Sequence, residues 1–239
     1  MVAEFAGQTG PKTNKVIDSA LDGVLFIDEA YSLVAESNED PYGREAVQAL
    51  LKRMEDDRER LIVILAGYPD EMTGLLKTNP GLSSRFSHRI DFEDYDPNEL
   101  GQIFNLMCAQ NQYEVDPEGL GKLLVGLNAL YSQRDKHFGN GRLIRNTFEK
   151  AIRNLADRIV KIPNITRELL VHFDESDIRL EGVSDEALSP DHIRSTLFQV
   201  ECPGCQGKSK IKFELLGRKV KCRKCNDDFR IESANPIRD

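Results

Sequence analysis

The sequence lacks long apolar runs, a basic segment near its start and an even number of cysteines, and each absence excludes a class of protein. No stretch approaches the roughly 20 apolar residues of a membrane-spanning helix, so we expect no membrane partner. Residues Met1–Phe5 have no basic region followed by an apolar one, which predicts no signal peptide and a cytoplasmic location. Five cysteines do not fit a secreted disulfide framework. The net charge of -8 argues against a chain that binds nucleic acid over its whole surface.

The sequence also lacks the phosphate loop Gly-x-x-x-x-Gly-Lys-Ser/Thr. The segment Gly7–Thr13 contains two glycines and a Lys-Thr pair, but Pro11 removes a backbone N–H that such a loop would use to hold phosphate. No apolar strand precedes the segment either. We therefore expect it not to bind phosphate.

What the chain does contain is enough apolar sequence for more than one folded unit. It has 239 residues, of which 40% are hydrophobic and 30% charged, which predicts two or three soluble units. Residues 201–232 hold nine Lys or Arg against five Asp or Glu, a local charge of +4, so the rest carries -12. This asymmetry indicates a small basic module joined to a larger acidic body.

The first 95 residues have the pattern of an α/β fold with a parallel sheet. Val24–Ile27 and Leu61–Leu65 are continuous apolar runs, typical of strands covered on both faces. Apolar residues recur between them at helical spacing from Ala46 to Met54, which predicts a crossover helix. Strand, helix and strand in this order predict a βαβ unit.

Residues 96–182 have a helical pattern instead. Asp96-Pro97 and Asp116-Pro117 each look like an N-cap followed by proline at the first helical position, and three apolar helix faces follow. Residues 183–200 are polar and acidic without lasting periodicity, so we expect a linker there.

Two carboxylates follow the first apolar run. Asp28 and Glu29 come directly after the strand Val24–Ile27, at the carboxyl end where open α/β sheets bind ligands. In nucleotide hydrolysis one acid can hold Mg²⁺ while the other polarises the attacking water. Two solvated acids at a strand end are the plain alternative.

Further segments support the nucleotide interpretation through their order and spacing. They are Glu4–Thr9, Phe26–Tyr31, Leu51–Asp57, Ala66–Tyr68, Asn79–Phe86 and Gly139–Arg142. Together they resemble the AAA+ ATPases of the CbxX/CfqX type, which includes the red-type Rubisco activases and SpoVK. The resemblance covers residues 1 to about 180 and implies a partial P-loop-type parallel sheet core over residues 1–95 with a helical lid over 96–182.

The resemblance implies a role for several side chains. Asp28 would be the Walker B acid that holds Mg²⁺, and Glu29 the catalytic glutamate. Arg85 would be the arginine finger that reaches the nucleotide of a neighbouring subunit, since a guanidinium offers forked donors to phosphate oxygens; a surface ion pair is the alternative. Arg142 would be the sensor 2 arginine that couples the lid to ATP.

One further segment matches the family, and one position departs from the broader AAA+ pattern. Phe5 and Gly7 match the aromatic-x-Gly pore loop that grips a protein substrate. Gly67-Tyr68 stands where many members have a polar sensor 1 residue. Because the matching region begins downstream of the family's P-loop, we expect the 239 residues alone to bind ATP weakly or not at all.

The resemblance also implies partners and a reaction. The family predicts ATP hydrolysis with Mg²⁺, coupled to remodelling of a protein substrate in a hexameric ring of identical subunits. A different class of function stays open: a non-hydrolysing relic or adaptor that joins another ring or acts through its C-terminal module.

The C-terminal module has the spacing of a metal site. Cys202-x₂-Cys205 and Cys222-x₂-Cys225 match four-cysteine zinc centres, and a closed set of four thiolates predicts structural Zn²⁺. Short strands over 211–215 and 219–221 would complete a zinc ribbon within residues 201–232. Two redox-active cysteine pairs are the alternative. The ribbon is basic but has few aromatics for base stacking, so nucleic-acid binding through it is the least favoured alternative.

Overall fold

The computed structural model describes residues 9–34 and 41–237, and the chain divides into two compact units, residues 1–92 and 93–239. The first unit contains α1 (Thr9–Asp18), β1 (Gly23–Ile27), α2 (Pro41–Asp56), β2 (Leu61–Leu65), α3 (Pro69–Thr78) and α4 (Pro80–Arg85). A short 3₁₀ turn, Ala30–Leu33, follows β1.

The first unit is built on the predicted βαβ arrangement. Strands β1 and β2 run parallel, with Val24 opposite Ile62 and Ile27 opposite Leu65. Helix α2 is the crossover helix, and its buried residues Val47 and Leu50 belong to the core beneath the strands. The predicted parallel α/β core is therefore confirmed for the described residues.

The expectation that both faces of the strands are covered is wrong for the part of the chain that the structure describes. Leu25 and Ile27 are buried in the core, but the alternate residues of both strands point to the other face and are 44–62% exposed. These exposed residues are Val24, Phe26, Ile62 and Ile64. A continuous apolar run shows that both faces are apolar, but it does not supply the layer that covers the second face.

The second unit begins with the three predicted helices. They are α5 (Pro97–Gln110), α6 (Pro117–Ser132) and α7 (Asn140–Ile159), followed by α8 (Arg167–Val171) and α9 (Pro190–Ser195). Asp96 and Asp116 are the N-caps of α5 and α6, and Asp96 forms a reciprocal capping box with Glu99. Strands β3 (Glu114–Val115) and β4 (His172–Phe173) pair in parallel beside the helices.

The unit ends in short strands around the cysteines. They are β5 (Leu197–Glu201), β6 (Lys208–Lys212), β7 (Lys219–Lys221), β8 (Asp228–Arg230) and β9 (Asn235–Ile237). The strand order β6-β5-β9 makes one antiparallel sheet, and β7 pairs with β8 in a separate hairpin. We call residues 197–237 the cysteine module.

Two sequence-based expectations differ from this arrangement. The predicted linker over 183–200 contains α9 and most of β5, because Ile193, Phe198 and Val200 are buried. The predicted strand over 211–215 is a 3₁₀ turn from Phe213 onward, and β6 pairs with β5 rather than with β7.

Among the helices within residues 9–34 and 41–237, none combines the length and the apolar character needed to cross a lipid bilayer.

Candidate functional site

The carboxyl ends of β1 and β2 are joined by backbone hydrogen bonds. The Ala66 N–H donates to the Ile27 carbonyl at 2.9 Å, and the Ala30 N–H donates to the Ala66 carbonyl at 2.9 Å. Asp28 and Glu29 lie between these bonds, and both are exposed. The structure thus puts the predicted acid pair at the sheet edge where hard oxygen ligands could hold a divalent cation.

The backbone of Glu29 has an unusual conformation. Its φ of 47° and ψ of 46° lie in the left-handed region, which costs a residue with a side chain about 1–2 kcal/mol. The Asp28 carboxylate accepts a hydrogen bond from the Glu29 N–H at 2.9 Å, which holds this turn. Strain of this kind is common at functional sites, so it supports a search for function here.

Two tyrosines flank the acid pair. The Tyr31 and Tyr68 ring centroids are 6.3 Å apart. Gly67 leaves room for them, since a Cβ there would lie 2.8 Å from Tyr31 Cδ1 and 2.9 Å from Met72 Sδ. Loss of hydration and then the charge of Glu29 raise the pKa of Tyr31, so its phenol keeps its proton at neutral pH. The glycine of the Gly67-Tyr68 pair is therefore explained by packing against Tyr31. Sequence reasoning gave Tyr31 no role, and its place two residues after Glu29 was the one signal in the sequence that could have indicated it.

Arg85 is the last residue of α4, a short helix capped by the Asn79 side chain on the Gly81 N–H. Its Nη2 lies 3.2 Å from Oε2 of Glu55, and the two side chains are 34% and 60% exposed. Arg85 thus forms a surface ion pair within its own chain, which was the alternative to an arginine finger. Such exposed pairs are worth only about 0–1 kcal/mol, so the guanidinium can exchange this partner for another.

Arg142 lies in the first turn of α7 and is exposed. Its side chain has no hydrogen bond or ion pair with residues 9–34 or 41–237. Asn140, at the start of the helix, donates from Nδ2 to Oδ1 of Asp94 at 2.6 Å and accepts from the Tyr95 N–H at 2.9 Å. Sequence reasoning gave Asn140 no role. Its left-handed φ of 45° is visible only in the structure.

The N-terminal positions divide into two groups. Phe5 and Gly7, the predicted pore loop, lie outside the described residues. Residues Thr9–Thr13 of the false phosphate loop start helix α1, and the Gly10 N–H donates to Oε1 of Glu45 at 3.0 Å. A helical segment whose glycine N–H is already bonded does not form a phosphate cradle, as Pro11 indicated.

The four C-terminal cysteines converge as predicted. Their sulfur atoms all lie within 4.8 Å of one another. Cys202 Sγ is 3.6 Å from Cys225 Sγ, and Cys205 Sγ is 3.7 Å from Cys222 Sγ. Tetrahedral Zn–S bonds of ~2.3 Å require sulfur atoms about 3.8 Å apart, so the four side chains fit zinc.

The two cysteine pairs lie on turns of the same design. Gln206 and Asn226 donate their N–H groups to the carbonyls of Cys202 and Cys222, at 2.8 and 3.0 Å. Both residues adopt a left-handed φ, 55° for Gln206 and 63° for Asn226. Hydrogen bonds from backbone N–H groups, first that of Cys225 and then that of Lys224, lower the pKa of Cys222 to about 6. Against a hydrogen bond from the Asp227 N–H, loss of hydration and the neighbouring thiols raise the pKa of Cys225 to about 12, so the low pKa belongs to one sulfur of the group. A thiolate at neutral pH is what a metal ion binds.

Cys108 is separate from this group. It is buried in α5, and burial raises the pKa of its thiol to about 12. It is therefore a small core residue, as its apolar helix face indicated.

Comparison with known proteins connects both units to one family. Residues 1–94 match the family described as ATPases associated with various cellular activities (AAA), and residues 96–187 match the AAA lid domain. The chain is 43% identical over 180 residues to a CfxQ homolog of Galdieria sulphuraria, which covers 74% of this chain and 58% of that protein. It is 44% identical over 160 residues to the plasmid-borne CbxX of Cupriavidus necator, covering 67% and 50%.

A third relative is a chloroplastic ribulose bisphosphate carboxylase/oxygenase activase of Cyanidioschyzon merolae. It is 39% identical over 199 residues, which cover 83% of this chain and 63% of the relative. The chain thus spans between half and two thirds of the length of these relatives.

Proposed function

The chain belongs to the AAA family of ATPases, and from this premise we propose that it is a subunit of a ring oligomer in which ATP hydrolysis remodels a protein target. The chain spans only part of the length of its relatives. The proposed activity is therefore that of the assembled ring, and the chain contributes some of its residues. The activase among the relatives supports a protein as the target. A hexamer is the ring size that we propose.

The observation that carries the proposal is the exposed acid pair at the joined ends of β1 and β2. In this proposal Asp28 would hold Mg²⁺ of bound Mg-ATP, and the Glu29 carboxylate would accept a hydrogen bond from the attacking water and so polarise it. The left-handed turn at Glu29 sets the backbone direction between the two acidic residues.

We propose that Arg85 acts on the nucleotide of the neighbouring subunit. Its exposed pair with Glu55 holds the guanidinium at the surface until a phosphate replaces the carboxylate. Arg142 would couple the lid to the nucleotide, and Phe5 and Gly7 would grip the protein target. The 239 residues contain no phosphate loop, so their own affinity for ATP is expected to be weak.

We further propose that Cys202, Cys205, Cys222 and Cys225 hold structural Zn²⁺. The sulfur spacing and the closed set of four ligands support this assignment, since a catalytic zinc keeps a position open for water. We propose the cytoplasm as the compartment, since thiolate ligands need a reducing environment.

The experiment is rescue of ATP turnover across a subunit boundary. The chain is mixed with a relative that has a phosphate loop but whose own finger arginine is replaced by alanine. We expect the wild-type chain to restore turnover, and Arg85→Ala to lose the restored rate by about 10³-fold or more, the usual value of an arginine finger.

Arg89→Ala is the matched control. Arg89 is also an exposed arginine in an ion pair, with Asp91 at 2.8 Å, and its replacement should leave the rescue intact. Co-assembly is measured beforehand by size-exclusion chromatography. Equal rescue by Arg85→Ala and Arg89→Ala in co-assembled samples would refute the role of Arg85.

A further inference from the structure

The cysteine module shares one hydrophobic core with the lid helices. The buried residues Phe198, Phe213, Leu216 and Ile231 belong to the same cluster as Leu100, Phe104, Leu120 and Leu124 of α5 and α6. Each of these eight side chains is no more than 5% exposed. The apolar side of the module, formed by β5, the turn at Phe213–Leu216 and Ile231, is therefore packed interior, which a module on a flexible tether would not have.

Two glycines lie where the lid helices meet the module and helix α9, which directly precedes it. A Cβ on Gly121 of α6 would lie 3.0 Å from Ile193 Cγ2 and 3.6 Å from Phe213 Cβ. A Cβ on Gly101 of α5 would overlap the Ser233 side chain and lie 2.6 Å from Leu124 Cδ2. No methyl group fits at these positions without displacement of the neighbour, so the contact surfaces are closely matched.

Hydrogen bonds fasten the same surfaces. The Ser233 hydroxyl donates to the Asn98 carbonyl at 2.9 Å, and Ser233 is 8% exposed. The Asn105 side-chain amide donates to the Glu232 carbonyl. Glu232 and Ser233 lie in the segment directly after β8, and their partners Asn98 and Asn105 both lie on α5.

The cysteine turns determine where that segment lies. Cys222 directly follows β7, and the second turn leads into β8, whose next residue is the buried Ile231. The β7–β8 hairpin has only three residues in each strand. A hairpin so short is not stable alone, and metal ligation is the usual means of holding such small elements together.

From these contacts we propose that the cysteine module is an integral part of the lid, and that its metal ion controls the stability of helices α5 and α6. This inference rests on the proposed zinc site. Metal removal releases the β7–β8 hairpin, and the surface of α5 and α6 that Phe213, Ile231 and Ser233 cover then opens to water. The module therefore makes the lid sensitive to zinc supply and to thiol oxidation.

The test is hydrogen exchange of the whole chain, with one bound zinc and after a chelator has removed it. Bound zinc is quantified separately by elemental analysis. We expect the amides of α5 and α6 to exchange at least about tenfold faster after chelation, because their protection depends on closed packing. The amides of α2, in the other unit, should not change and serve as the internal reference.

A pair of variants separates docking from metal binding. Gly121→Val should displace Ile193 and crowd Phe213 beside it, so it should retain one zinc per chain while α5 and α6 exchange fast with or without metal. Gly141→Val is the matched control, since nothing lies within 4 Å of a Cβ on Gly141 and both glycines are helical. It should keep the wild-type response to chelation.

The outcomes distinguish the two proposals. If zinc binds and its removal leaves exchange in α5 and α6 unchanged, the coupling is wrong while the zinc site stands. If Gly121→Val responds to chelation as Gly141→Val does, the docking surface is wrong. If no metal binds at one ion per chain, the zinc site and the control of the lid by metal both fail.

Discussion

At the scale of single residues, the five cysteines fall into two groups with different surroundings. Cys108 is 3% exposed inside α5, whereas the other four face one another in a metal-sized group. Their spacing made this division predictable, because two Cys-x₂-Cys pairs form local turns and a lone cysteine on an apolar helix face packs in a core.

Thiol labelling tests the division. With zinc bound, we expect no cysteine to react rapidly with a maleimide, because four thiolates are ligands and Cys108 is buried with a raised pKa. After chelation, four cysteines should react, and Cys108 should react only after unfolding. Mass spectrometry counts the labels. Rapid labelling of four sites in zinc-loaded protein would contradict the metal centre.

Other residues could not be assigned from sequence because their roles depend on distant neighbours. Gly101 and Gly121 lie in helices, where glycine has no conformational purpose, and the close contacts with Ser233 and Ile193 explain them. Tyr31 likewise has its place because Gly67, which follows the neighbouring strand, leaves room for its ring.

At the scale of helices and strands, local signals were sufficient where the stabilising contacts are local. The caps Asp96 and Asp116 lie where the Asp-Pro pairs predicted them, and the three lid helices follow. The module's strands were less predictable, since β5 pairs with β6 on one side and with β9 on the other. The second pairing joins residues almost 40 positions apart along the chain, and a polar linker pattern over 183–200 gave no sign of it.

The cap of α6 leads to a prediction with a pH dependence. Burial, with the charges of Glu118 and Asp174, raises the pKa of Asp116, although the hydrogen bond from the Gly119 N–H at 2.5 Å opposes this. A raised folded-state pKa gives stability that is complete below the ordinary value of 3.8 and is lost as pH rises through the folded-state value.

Asp116→Asn keeps an acceptor for the cap and removes the titration. We therefore expect its stability relative to wild type to increase as pH rises from below 4 through the folded-state pKa, and then to stay constant. Asp116→Ala should cost about 1 kcal/mol at neutral pH through loss of the cap. Urea unfolding of both variants at several pH values measures this. A stability difference between Asp116→Asn and wild type that does not vary with pH would contradict the assignment.

At the scale of the whole molecule, sequence reasoning identified the family, and the family comparison confirms it over residues 1–94 and 96–187. It could not show that Val24, Phe26, Ile62 and Ile64 would be exposed, because burial depends on what covers a surface and not on the strand alone. It also treated the cysteine module as separate from the lid, whereas the two share a core.

The central claim is that the acid pair after β1 performs ATP hydrolysis chemistry. The direct measurement uses a fusion in which a relative's segment with the Gly-x-x-x-x-Gly-Lys-Ser/Thr loop precedes the chain. The account predicts Mg²⁺-dependent hydrolysis by this fusion, and a loss of about 10²–10⁴-fold in Glu29→Gln with ATP binding retained. Glu59→Gln, which changes an exposed glutamate before β2, should keep the rate. If the fusion binds Mg-ATP and Glu29→Gln hydrolyses it as fast as Glu59→Gln, the acid pair does not perform this chemistry.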